Sequence, residues 1–119
     1  MSNSKETLRL ICKAIEDKKG EGLTVLDLRG ISSFTDYFVI CHGNNSRQNQ
    51  AISDNVSQTL KKERHLTPAH VEGFENAEWI LLDYLDFVVH VFSESARDYF
   101  KLEKLWSDAV KMPRAALTA

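Results

Sequence analysis

Three polar residues interrupt the densest apolar run of the sequence, WILLDYLDFVVHVF from Trp79 to Phe92: Asp83, Asp86 and His90. Two carboxylates and an imidazole are the usual materials of general acid–base catalysis and of metal coordination. Both chemistries need the groups to converge within bonding reach of one reacting atom. The spacing does not point to convergence. If Glu78–Asp83 and Phe87–Phe92 are strands, alternation puts Trp79, Leu81 and Asp83 on one side and Ile80, Leu82 and Tyr84 on the other. His90 then shares a side with Val88 and Phe92 on the next strand, while Asp86 falls in the turn. The residue types fit a turn acid and a hydrogen-bonded or interface histidine better than a catalytic cluster.

Other candidate chemistry is no stronger. GNNS, from Gly43 to Ser46, leads an apolar strand into a helix N-terminus, a natural place for an anion. It lacks the glycines and lysine of a phosphate loop and the three glycines of a dinucleotide fingerprint. Ser32, Ser33 and Ser46 have no nucleophile elbow around them, and turn or cap roles account for them. His65, His70 and Glu72 match no familiar metal-ligand spacing. Cys12 and Cys41 lie in apolar segments without C-x-x-C spacing, so reduced, buried thiols are expected rather than a disulfide or a metal site. No catalytic residue, metal or cofactor is expected.

The elements that must position these residues can be read from periodicity. Leu8, Ile11, Cys12 and Ile15 recur at helical steps between Asn3 and Lys19, with Asn3 and Glu6 as a capping box and Gly20 as the left-handed cap. Leu23–Arg29 and Tyr37–His42 read as strands around the turn-rich GISSFTD, the second apolar enough to be covered on both faces. Ile52, Val56 and Leu60 stripe a helix over Ser46–Arg64, capped by Asn45 and Gln48. A short strand is expected over Ala69–Glu72, then a hairpin of Glu78–Asp83 and Phe87–Phe92 joined at Tyr84, Leu85 and Asp86. Ser95 and Asp98 open a last helix with Tyr99, Leu102, Trp106 and Ala109 on one face, ended by Pro113. The result is an α/β (α+β) domain with a mixed β-sheet of about five strands flanked by helices. A single domain over residues 1–119 is expected, ordered over about 3–111 with a frayed C-terminal tail.

Composition narrows the class. The chain has 119 residues, 43% hydrophobic and 27% charged, a globular balance with no apolar run long enough for a membrane span. The polar N-terminus carries no signal core, so a cytoplasmic protein is expected. A net charge of −2 argues against a general nucleic-acid binder. Glu72, Glu75, Glu78, Asp83, Asp86, Glu94 and Asp98 face a single arginine, Arg97, within one segment, and that excess would attract a basic partner. Trp79 among carboxylates suits a binding hot spot with a charged rim. Burial of the same face under the last helix would account for the pattern equally well.

Several blocks in order, SSFTDYFVICHGNNSRQNQAISDNV, VEG, and EWILLDYLDFVVHVFSESARDYFKLEKLW, resemble the signature segments of the ribosomal silencing factor family, also called the Iojap-related family. The likeness runs from the first helix to Trp106. It implies a bacterial, cytoplasmic translation repressor that binds the large ribosomal subunit through its protein fourteen and blocks joining with the small subunit when nutrients are short. It also implies a homodimer when free, no membrane association and no sequence-specific nucleic-acid binding. The family fold is similar to the nucleotidyltransferase core. The hairpin GISSFTDYFV offers Asp36 but no second acid two residues on, so two-metal chemistry lacks its ligands. By motif, the ribosomal contact is expected at Trp79, Leu82, Asp83, Tyr84, His90, Arg97 and Tyr99. Leu85 stands where glycine is common in relatives. A nucleotidyltransferase-like or nucleotide-binding protein and a large-subunit assembly factor are the alternative readings.

Overall fold

The computed structural model describes residues 4–117. Helix α1 (Ser4–Asp17) buries Leu8, Ile11, Cys12 and Ile15 completely, as the three- and four-residue spacing requires. The proposed Asn3 cap lies outside the described residues. At the other end Lys19, not Gly20, takes the left-handed conformation (φ 64°). Gly20 N–H donates to the Ile15 carbonyl and Lys19 N–H to that of Glu16, the paired bonds of a Schellman end. Gly20 is needed for a different reason: a Cβ there would collide with the Ile15 side chain.

Strands β1 (Glu21–Asp27) and β2 (Tyr37–Gly43) follow, then α2 (Ser46–Arg64). Asn45 caps α2 by accepting from Gln48 N–H, and Ile52, Val56 and Leu60 are fully buried. Strands β3 (His70–Glu72), β4 (Trp79–Asp83) and β5 (Phe87–Ser93) lead to α3 (Glu94–Phe100) and the single turn α4 (Leu102–Leu105). A sixth strand, β6 (Val110–Met112), and a 3₁₀ turn, Arg114–Leu117, complete the chain.

The sheet order is β3-β4-β5-β2-β1-β6. Its centre is the parallel pair β2 and β5, with Tyr37 opposite Phe87 and Gly43 opposite Ser93; every other pairing is antiparallel. Both central strands are apolar on both faces because both faces are covered. Helices α1 and α2 bury one face against Val39, Cys41, Ile80, Leu82, Val89 and Val91. The other face carries a second core of Leu26, Leu28, Phe38, Ile40, Val88 and Phe92, closed by Ala96 and Leu102. Each such side chain removed from water contributes about 1.5–3 kcal/mol. Cys12 and Cys41 are free and buried, and burial pushes their thiols up to about 11 and about 12.

The structure also departs from the sequence reading in the sheet and in the last helix. The sheet has six strands, not about five, because β6 pairs with Val25–Asp27 at the edge of β1. Edge pairing is made by backbone groups, and three residues hold no periodicity to betray it. The last helix is not continuous. It is capped by Ser93 rather than Ser95, breaks at Lys101 (φ 49°) and restarts as α4. That left-handed residue redirects the chain so that Leu102 and Trp106 close over Phe38, leaving Tyr99 80% exposed instead of on the buried face. After β6, Leu117 is buried in the α1 core and Arg114 bonds the Glu16 carboxylate.

Candidate partner-binding face

Residues opposite one another in a ladder share a face of the sheet. Trp79 faces Phe92, Leu81 faces His90 and Asp83 faces Val88 across β4 and β5. On the parallel side Val88, His90 and Phe92 meet Phe38, Ile40 and His42, and on the far side Leu81 meets Glu72 of β3. These residues form one continuous surface, the face that α1 and α2 leave open. Chain order then decides its cover. On this side α3 and α4 lie over β5, β2 and β1, and among the described residues no helix core reaches past them to β3. The expected cover by the last helical segment therefore extends over these three strands.

The uncovered half has a distinct chemistry. Trp79 and Leu81 are half-buried and, with Glu72 and Gly73, line a shallow groove of about 220 Å³. Gly73 (φ 77°) permits this close approach, since a Cβ there would strike the Trp79 carbonyl oxygen. Trp79 packs on the Phe92 ring with centroids 5.0 Å apart, and its Nε1–H donates to His90 Nδ1 at 3.0 Å. His90 is only 3% exposed, and burial pushes its imidazole down to about 3, so it is neutral near pH 7. From there an aromatic row runs across the sheet: His90 to Phe38 (4.4 Å), Phe38 to Trp106 (5.8 Å) and Trp106 to exposed Phe34 (6.2 Å). Exposed Glu72 stands at the edge of the groove.

The expected contact residues divide sharply. Trp79 and half-buried Asp83 stand on the open face. Asp83 also caps the hairpin, its Oδ1 accepting from Leu85 N–H at 2.8 Å. Leu82 (1% exposed) and Tyr84 (8%) point the other way, into the α1–α2 core, because they alternate with Trp79 and Asp83. His90 lies beneath the face rather than on it. Arg97 turns inward from α3, donating to His42 Nδ1 (3.0 Å) and Thr24 Oγ1 (3.2 Å). Tyr99 is on the surface beside Lys101, Lys104 and Leu105, away from the groove. Leu81, Glu72, Phe34 and Trp106 also lie along this face but stand outside the expected contact set. Leu81 and Glu72 were recoverable from alternation and register, whereas Phe34 sits in a turn and carries no periodic signal.

The rejected chemistries are also placed. Asn45 and Gln48 fill the α2 N-terminus themselves, with Gln48 Oε1 accepting from Asn44 N–H and its amide donating to the Lys18 and Lys19 carbonyls. Ser32 Oγ accepts from Phe34 and Thr35 N–H in a turn. His70 pairs with Glu72 in an exposed contact of 2.7 Å. Among the described residues no three His, Cys, Asp or Glu side chains are grouped to hold a metal ion, and no helix is long and apolar enough to cross a membrane.

The hairpin tip offers a direct check on the geometry. Leu85 is 64% exposed and holds φ 75°, the conformation glycine adopts without strain. The left-handed turn is therefore kept at a leucine. Leu85→Gly is expected to stabilise the fold by about 1 kcal/mol, the left-handed penalty less glycine's extra chain entropy. A rise of a few degrees in Tm would show it, and a fall would mean that the tip is held by packing.

The family model described as "Ribosomal silencing factor during starvation" matches residues 1–119. The chain is 45% identical to the ribosomal silencing factor RsfS of Halalkalibacterium halodurans over 109 residues, 92% of each chain. It is 44% identical to the protein of that name from Bacillus subtilis, covering 90% of each. A crystal structure from Chromobacterium violaceum superimposes with a TM-score of 0.84 at 34% identity, over 90% of this chain and 88% of that one. The family match over the whole sequence and these likenesses agree: the chain belongs to the ribosomal silencing factor family.

Proposed function

We propose that the chain is a non-catalytic translation repressor of the cytoplasm. It docks on the large ribosomal subunit, through ribosomal protein fourteen, with the uncovered half of its sheet face, and keeps the small subunit away by occupying the surface where the two would meet. One observation supports this most strongly: a half-buried tryptophan, anchored from behind by a hydrogen bond and ring packing, stands in an apolar groove with the Glu72 carboxylate at its edge. Aromatic anchors in partly desolvated pockets supply most of the energy of protein interfaces, and rim charges tune encounter with a partner of opposite sign. The mechanism requires affinity and bulk but no bond-making.

Titrating isolated ribosomal protein fourteen with the chain tests the partner. Saturable one-to-one binding that weakens as salt is raised is expected, since exposed charges are screened over about 8 Å at physiological ionic strength. No binding to the isolated protein, with binding to the whole large subunit retained, would move the contact to another component of the subunit.

A further inference from the structure

His90 is an expensive residue for its position. The indole Nε1–H can only donate, so His90 Nδ1 must accept the 3.0 Å bond from Trp79. The proton of the neutral ring is then on Nε2, which is buried and has no partner among the described residues. A buried donor left unpaired forfeits the hydrogen bond that water gives it in the unfolded chain. An apolar side chain here would avoid that cost and suit the strand, whose neighbours on this face are Val88 and Phe92. What the histidine supplies in return is a fixed acceptor behind Trp79. Its ring is itself held by Phe38 at 4.4 Å and Phe92 at 6.1 Å, so the acceptor cannot swing away.

We propose that His90 is a positioning residue for recognition: it never touches the partner, but sets the orientation in which Trp79 presents its indole to the large subunit. The proposal rests on the reading of the uncovered face as the ribosome-binding surface. A tryptophan locked before binding loses less rotational freedom on docking than one that must be selected from several rotamers. The hydrogen bond also leaves the indole with its polar edge turned toward the sheet and satisfied.

Two measurements separate this role from simple packing. In ¹⁵N–¹H spectra the indole resonance of Trp79, told from that of Trp106 by Trp106→Phe, should move upfield in His90→Phe and hold its position in His90→Asn, whose amide oxygen can stand near the place of Nδ1. His90→Leu removes the acceptor with less bulk and serves if the Phe38 and Phe92 rings reject phenylalanine. Large-subunit affinity should fall about five-fold in His90→Phe or His90→Leu, the order expected for one hydrogen bond, and remain within about two-fold in His90→Asn. In a Trp79→Phe background, which has no indole N–H, the same His90 substitutions should have no further effect. An indole resonance that ignores His90→Phe and His90→Leu overturns the proposal, and so does a five-fold loss that persists in the Trp79→Phe background. If Trp79→Ala binds the large subunit like the parent chain, the reading of the face itself fails. That failure is recognised by an indole shift that still responds to His90 while no substitution changes affinity.

Discussion

Trp79→Ala is expected to weaken binding to the large ribosomal subunit by about 2 kcal/mol or more, roughly thirty-fold, in a chain that still folds. The size follows from the indole's place. Trp79 is only half-buried, so a partner can cover the rest of a side chain that offers about 150–250 Å² of contact area. Its inner edge is already held by His90 and Phe92, so little ordering remains to be done on docking. Leu82→Ala, three residues along, is the control of opposite character. Leu82 is packed against the α1–α2 side, and its truncation should cost about 2–5 kcal/mol of stability through a core cavity. Calorimetric titration against large subunits together with thermal melts distinguishes the two. Unchanged affinity in a folded Trp79→Ala chain would remove Trp79 from the contact.

The second large effect is on acid stability. Burial lowers the folded-state pKa of His90 from 6.5 to about 3, so below pH 6.5 the unfolded chain takes up a proton that the folded chain refuses. The stability contributed by the neutral ring is fully present above about pH 6.5 and is lost as pH falls toward 3. The maximal slope is about 1.4 kcal/mol per pH unit. Asp27, held below the usual carboxylate range mainly by its hydrogen bond from Arg29, adds a loss of the same sign at the acid end of the window. Urea melts between pH 7 and pH 4 should show falling midpoints, with a visibly flatter dependence in His90→Leu. Equal slopes in the two proteins would mean that His90 takes up its proton in the folded state without penalty.

Much of this architecture was legible because it is written in side-chain periodicity. The stripes of Leu8, Ile11, Cys12 and Ile15 and of Ile52, Val56 and Leu60 placed two helices, and the unbroken apolarity of Tyr37–Cys41 marked a strand covered on both faces. Alternation along β4 correctly separated Trp79, Leu81 and Asp83 from Leu82 and Tyr84. It could not say which side was open, because both sides are apolar and the answer depends on where α3 and α4 come to rest. Motif likeness gathered Leu82 and Tyr84 into the same expected contact as Trp79, although alternation sends them to opposite faces. The break at Lys101 was illegible for a related reason. Lysine has no left-handed preference, and the turn exists because Leu102 and Trp106 gain cover over Phe38. His90 shows the reverse case. It was noticed for its chemistry, and its importance lies in what its Nδ1 holds in place.

Under the proposed function, occupation of the large subunit by this chain prevents subunit joining. Purified large and small subunits, mixed with increasing amounts of the chain under joining conditions and separated on a sucrose gradient, test it directly. The chain is expected to sediment with the large subunit and the joined particle to decline in proportion to occupancy, with Trp79→Ala needing roughly thirty-fold more protein for the same effect. Undiminished joined particles in the presence of saturating, co-sedimenting chain would contradict occlusion and leave a binding protein that acts at another stage in the life of the large subunit.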